Sequence, residues 1–159
     1  MKISSGVKLP RRGTAIMPDN EAKPGYARAV TLFYCINAVK SSIFAKLEDV
    51  GEFEINPVKI PCSSMIKETF ILKALEAGAE AVLIITCPED SCQFIDGNRR
   101  ANKRVERVRQ MLDEIGYGGW RVSIHNSRIE NEDEICLLFR QALGQGENSF
   151  TAESLLAGE

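Results

Sequence analysis

Eight residues, EAVLIITC (80–87), set the strongest constraint on what this chain can fold into. Their apolar run is short, β-branched and unbroken, which suits a strand covered on both faces rather than one with a wet side. Strands of that kind sit in the middle of parallel sheets flanked by helices. Three other segments read as strands. ARAVTLFYC (27–35) is again apolar and aromatic, EFEINPVKIPC (52–62) alternates at Phe53 and Ile55, and WRVSIHNSRI (120–129) alternates at Val122 and Ile124. Pro57 predicts a bend in the second of these or a later start.

Helical spacing fills the gaps between them. NAVKSSIFAKLEDVG (37–51) places Val39, Ile43, Phe44 and Leu47 on one face, with Gly51 as a stop. SSMIKETFILKALEAGA (63–79) predicts a helix capped by Ser63 or Ser64 and ended by Gly78. NRRANKRVERVRQMLDEIGYGG (98–119) carries Val105, Val108, Leu112 and Ile115 on one stripe before Gly116. NEDEICLLFRQALGQG (131–146) closes the series, acidic where the helix dipole favours it. Strands alternating with helices predict an α/β fold: an open, mostly parallel sheet of about four strands with helices on both faces, flavodoxin- or Rossmann-like. Three parts are expected: an irregular, proline-containing arm over 1–26, the α/β domain over 27–146, and a tail over 147–159.

A chain of 159 residues supports one sizeable core and not two. A net charge of −2 gives no global attraction to nucleic acid or membrane. No stretch approaches the roughly 18–20 apolar residues of a membrane span, and the first residues lack the apolar centre of a signal peptide. A cytoplasmic protein is expected. In that reducing compartment disulfides are rare, so spaced cysteines read as metal ligands or reactive thiols.

Four of the five cysteines then fall into a pattern. Cys35, Cys62 and Cys87 each end a predicted strand, and Cys92 lies in the loop after the third. The C-terminal ends of parallel strands share one edge, where such folds bind ligands. Four thiols distant in sequence are therefore expected to converge. Cys136 sits between Ile135 and Leu137 in the last helix and reads as packing. Any one strand-end cysteine alone is a small buried hydrophobe; three in succession, with a fourth in the adjoining loop, point to a metal. Four thiolates suit tetrahedral zinc or an iron–sulfur cluster. Zinc knuckles space their ligands two to four residues apart, and no such pair exists here, whereas the four residues between Cys87 and Cys92 match the spacing of plant-type 2Fe–2S loops. A phosphatase-like loop would need arginine where Asn98 stands, and a thiol–disulfide enzyme would favour two intervening residues.

The stretch TCPEDSCQFIDGNRRANKRV resembles the delta-subunit family of methyl-viologen-reducing hydrogenase, the hydrogenase iron–sulfur subunits. Cys87, Cys92, Gly97, Asn98, Ala101, Lys103 and Arg104 occupy that family's motif; PCSSMIKETFILKALEAGAEAVLI resembles its second cysteine segment, with Cys62 at the ligand place, and FYCIN its first. The likeness covers about 27–143. The chain departs where Ile36 and Val39 stand for family cysteines, and where Ser64-Met65 replaces Gly-Arg. The resemblance implies a non-catalytic electron-transfer adaptor with a 2Fe–2S cluster on Cys35, Cys62, Cys87 and Cys92. Its implied partners are another oxidoreductase subunit together with a heterodisulfide-reductase-A-like flavoprotein subunit, in large anaerobic assemblies that include electron-bifurcating ones. The departures keep open an assembly adaptor whose thiols hold zinc or nothing.

The remaining features carry less. Arg99, Arg100, Lys103, Arg104, Arg107 and Arg109 form a basic helix face, solvated by default and otherwise a docking surface for an acidic partner. No aromatic residues interleave with them, which argues against nucleic acid. His125 reads as a strand-end hydrogen bonder, with metal ligation the minor alternative; Trp120 is expected to pack under the sheet edge. Glu89 and Asp90 would make the cysteine loop more electronegative. The arm could wrap a neighbouring protein.

Overall fold

A computed structural model describes residues 28–44 and 53–153, with side chains through 144. The expected arm, the Gly51 stop and the last residues of the tail lie outside the described residues. The chain runs β1 (Arg28–Cys35), β2 (Phe53–Ile60), α1 (Glu68–Glu76), β3 (Ala81–Thr86), α2 (Gly97–Glu114), β4 (Val122–Asn126) and α3 (Glu132–Glu153). The strands form one sheet in the order β2-β1-β3-β4, every pair parallel. This is the α/β layer expected from the alternating pattern. No helix among the described residues is long and apolar enough to cross a membrane.

Alternation along β1 divides the core in two. Val30, Leu32 and Tyr34 point to the face closed by Ile135, Phe139 and Leu143 of α3, together with Leu83 and Ile85 of β3. Phe33 points to the opposite face, with Val82, Ile84 and Val122, beneath Ile71 and Leu75 of α1 and Val105, Val108 and Leu112 of α2. All six β3 residues are buried, as the run at 80–87 requires of a strand covered on both sides. Each large aliphatic side chain so buried contributes about 1.5–3 kcal/mol.

Local chemistry explains where the elements stop and where expectation and structure part. Gly78 and Gly116 follow α1 and α2 at φ of 101° and 73°, a left-handed turn that glycine takes without strain. Ile115, expected on the apolar stripe of α2, lies past the helix end and is 73% exposed. Pro57 neither bends nor delays β2: that strand is an edge, where a missing N–H is tolerated. The helix expected over 37–51 does not begin at 37. Residues 36–38 turn, Val39 makes an isolated parallel bridge to Ile129, and Ala38 O accepts from Ile129 N at 2.9 Å. A partner from the far end of the domain wins over helical spacing there.

The helix expected from 63 starts later. Ser63–Met65 is a separate 3-10 turn, and α1 is N-capped by Lys67 without a side-chain bond. Neither Ser63 nor Ser64 caps α1. The last helix continues to Glu153, past its expected end at 146.

Candidate metal centre

The sheet order alone brings the first two thiols together. β1 and β3 are neighbours, Tyr34 opposite Ile85, so Cys35 at the end of one strand and Cys87 just past the other meet above the same rim. Their Sγ atoms are 3.7 Å apart, too far for a disulfide and close enough for a shared proton. Both are buried, at 2% and 1% exposure, and Cys35 also donates weakly to the Pro61 carbonyl at 3.9 Å.

The second pair forms across the start of α2. Cys62 follows β2, next to β1, and is 7% exposed; its Sγ accepts from Ser64 N at 3.5 Å and from Ser64 Oγ at 3.2 Å. Cys92 returns from the loop after β3. A Cβ on Gly97 would stand 2.8 Å from Cys62 Sγ and 3.2 Å from Cys92 Sγ, so these two sulfurs flank the same bare glycine. The charge of Cys92 adds a lesser upward push to Cys87, behind burial and Cys35.

Asn98 holds this arrangement in place. It is fully buried, and its Nδ2 donates to the carbonyls of Cys87, Pro88 and Glu89 at 3.2–3.3 Å. The loop carrying Cys92 is thereby tied to α2. Arg104, further along the same helix, turns inward: its Nη1 donates to Ser64 O at 2.6 Å and Ile66 O at 2.5 Å. That clamp fixes the turn after Cys62 against α2. Arg99, Arg100, Lys103 and Arg107 line the outer side of the helix, as expected of a solvated face, with Arg99, Arg100 and Lys103 exposed and Arg107 paired at the surface with Glu68.

The electrostatics separate the thiols. Burial, followed by the neighbouring Cys35, pushes Cys87 up to about 12. Burial also raises Cys92, but the backbone N–H groups of Asn98, Phe94 and Gly97 together outweigh it, and the net shift is downward. The N-terminus of α2 therefore favours negative charge at this sulfur. His125 lies within β4, lowered by burial. Cys136, within α3, packs partly buried against the core beneath that helix, raised by burial, as the packing reading expects. Trp120 packs against that core too, with Arg121 stacked 4.9 Å over its ring.

The donor set fits an iron–sulfur group. Four thiols, with backbone N–H groups aimed at one of them and a bare glycine beside two, match the all-cysteine donor chemistry of such groups. The same four thiols also suit zinc in their chemistry, and among the described residues no three His, Cys, Asp or Glu side chains are grouped closely enough to hold a single metal ion.

Residues 31–144 match the family described as methyl-viologen-reducing hydrogenase, delta subunit. The chain belongs to that family. It is 36% identical over 67 residues to the F420-non-reducing hydrogenase vhu iron-sulfur subunit of Methanocaldococcus jannaschii, covering 42% of this chain and 50% of that one. Over 70 residues it is 31% identical to the F420-non-reducing hydrogenase iron-sulfur subunit of Archaeoglobus profundus, covering 44% and 51%. It also resembles the A-type subunit of the Ferredoxin:CoB-CoM heterodisulfide reductase from Methanosarcina mazei, 39% identical over 62 residues, which is 39% of this chain and 8% of that much longer one. The chain spans about half the length of the hydrogenase relatives it matches.

For this delta-subunit family member, the motif residues quoted from the sequence acquire physical reasons. Gly97 leaves room for sulfur, Asn98 ties three carbonyls, Ala101 is fully buried, and Arg104 clamps the Cys62 turn. Two positions depart from what local pattern implies: Arg104 faces inward rather than joining the solvated face, and Ser63 caps no α-helix. Buried Ser63, beside Cys62, has no hydrogen-bond partner for its hydroxyl among the described residues.

The two shifted thiols predict a chemical fingerprint for metal-free protein. Iodoacetamide should modify Cys92 before the buried cysteines, below the usual thiol pH, while Cys87 stays protected beyond the ordinary value of 9.0. Because the folded chain keeps the Cys87 proton that the unfolded chain releases, stability from this group is intact below pH 9 and falls as pH climbs toward 12. Peptide mass mapping across a pH series checks the order. Equal rates at Cys87 and Cys92 would contradict it.

Proposed function

We propose that this chain is an electron-transfer component of an oxidoreductase complex, holding a 2Fe–2S cluster on Cys35, Cys62, Cys87 and Cys92. The observation that supports the reading is the placement of the thiols after β1, β2 and β3, with Cys35 Sγ 3.7 Å from Cys87 Sγ and the sulfurs of Cys62 and Cys92 flanking Gly97. The cluster, when bound, supplies one-electron chemistry that no side chain here can perform. The protein's part is to hold and shield. Cys35 and Cys87 form a dry floor, which lowers the local dielectric and keeps water from the buried sulfurs. The N–H groups at the start of α2 stabilise negative charge at Cys92, the half-buried thiol nearest solvent. Asn98 and Arg104 keep the ligand segments from drifting apart.

The chain itself transforms no substrate; it relays electrons between a partner oxidoreductase and a heterodisulfide-reductase-A-like flavoprotein. The likeness to a small part of the heterodisulfide reductase relatives supports this pairing. A module that resembles part of that longer chain in one protein and a separate hydrogenase component in others is suited to work against the remainder of the longer chain. Exposed Phe94 and Ile95 beside Cys92, with the cations of α2 nearby, offer an apolar and basic docking face.

The test is compositional. Protein purified without oxygen from a host able to build clusters should carry iron and acid-labile sulfide in a 1:1 ratio, with a paramagnetic signal on one-electron reduction. Stoichiometric zinc without iron would replace this reading with that of an assembly adaptor.

A further inference from the structure

We propose that the Ser63 hydroxyl donates a hydrogen bond to the sulfur of the bound cluster and raises its reduction potential. The inference rests on the cluster reading and adds a residue to it that ligates nothing. Ser63 is fully buried, yet its Oγ has no hydrogen-bond partner among the described residues. Buried hydroxyls are normally satisfied, because an unmet one has lost its water without replacement. The missing acceptor must lie where the hydroxyl is held. Ser63 Oγ is 3.4 Å from the point where a Gly97 Cβ would stand, and that point lies 2.8 Å from Cys62 Sγ and 3.2 Å from Cys92 Sγ. The hydroxyl and both sulfurs therefore border one small space.

Its neighbours leave Ser63 no other task. Ser64 already supplies Cys62 Sγ with two donors, its backbone N–H and its hydroxyl. Arg104 pins the turn through Ser64 O and Ile66 O, which keeps Ser63 from swinging out to water. An inorganic sulfide or a cluster-bound thiolate is an anionic acceptor of the kind this donor lacks. Reduction adds one electron from an external chemical reductant to the irons, and no bond to Ser63 forms or breaks. The hydroxyl keeps its proton, and its dipole stabilises the more negative, reduced form.

The experiment compares wild type, S63A, S63T and S123A, each purified as the full chain without oxygen. Iron and sulfide are assayed, and each protein is titrated with dithionite while the paramagnetic signal is followed. Ser123 is the control, because it carries the other unpartnered buried hydroxyl among the described residues but sits within β4, opposite Leu83. S63A with a full cluster should show its redox equilibrium shifted about tenfold toward the oxidised form, which is about 59 mV for one electron. S63T should restore the wild-type value, and S123A should match it throughout. A fully loaded S63A at the wild-type potential overturns the proposal. Should S63A lose its iron, recovery of both iron and potential in S63T supports it, and no recovery overturns it. A wild-type protein without iron would sink the cluster reading itself, which is a distinguishable result.

Discussion

Gly97→Ala is expected to empty the site as completely as Cys35→Ser or Cys87→Ser would, while the metal-free fold survives. The added methyl would sit 2.8 Å from Cys62 Sγ and 3.2 Å from Cys92 Sγ, well inside ordinary contact, with Ser63 Oγ at 3.4 Å. Neither sulfur can yield freely, since both hang from short segments fixed by Asn98 and Arg104. Ligand positions usually tolerate about 0.5 Å of error before a designed site fails. The backbone of Gly97 is not in the left-handed region, so alanine costs nothing there conformationally and raises helix propensity by up to about 1 kcal/mol. The expected outcome is at least an about tenfold loss of bound iron, the scale on which supporting residues act, with the metal-free protein still folded but less stable by about 1–3 kcal/mol, the cost of overpacking sulfurs that cannot yield freely. A G97A protein with its full iron complement would mean that Cys62 and Cys92 do not share one centre.

Asn98→Ala is expected to damage stability more than any exposed substitution on α2. One buried amide serves three carbonyls, of Cys87, Pro88 and Glu89; its removal takes a donor from each, with Thr86 Oγ1 left on Cys87 O and Ser91 N on Pro88 O, and leaves a void. Unmet buried polar groups cost about 1–3 kcal/mol each when fully isolated, and shared bonds from one amide lower the sum. A loss of about 2–4 kcal/mol is expected, or a fall in melting temperature on the order of 10 °C for a domain of this size. Calorimetry on metal-free protein decides it, with Arg100→Ala, exposed on the same helix, as the comparison. A loss below about 0.5 kcal/mol, typical of a surface change, would show the amide to be dispensable.

What the amino-acid sequence makes legible follows from the range of the forces involved. β3 is readable because its burial on both faces is written into consecutive residues, and the cysteines are readable because parallel strands must end at one rim. Residues 37–44 mislead because Val39 is satisfied by Ile129, a partner that no local pattern announces. Arg104 looks like its neighbours Arg100 and Arg107, yet its acceptors are backbone carbonyls 38 and 40 residues away. Ser63 resembles a helix cap, and serine before a helix usually is one; here a 3-10 turn intervenes. The proposed electron-carrying role draws on likeness to a family, since spacing alone leaves zinc and iron–sulfur open.

Cys35 and Cys87, whose sulfurs face each other across the rim, are 52 residues apart. A centre held by the proposed ligands could not be loaded on a nascent fragment, because Cys35 and Cys87 meet only after β1 and β3 have found each other. Insertion of the proposed group would therefore follow or accompany the pairing of β1 with β3. Insertion would in turn tether the rims of three strands at once, making the mature form harder to pull apart than the precursor from which it was made.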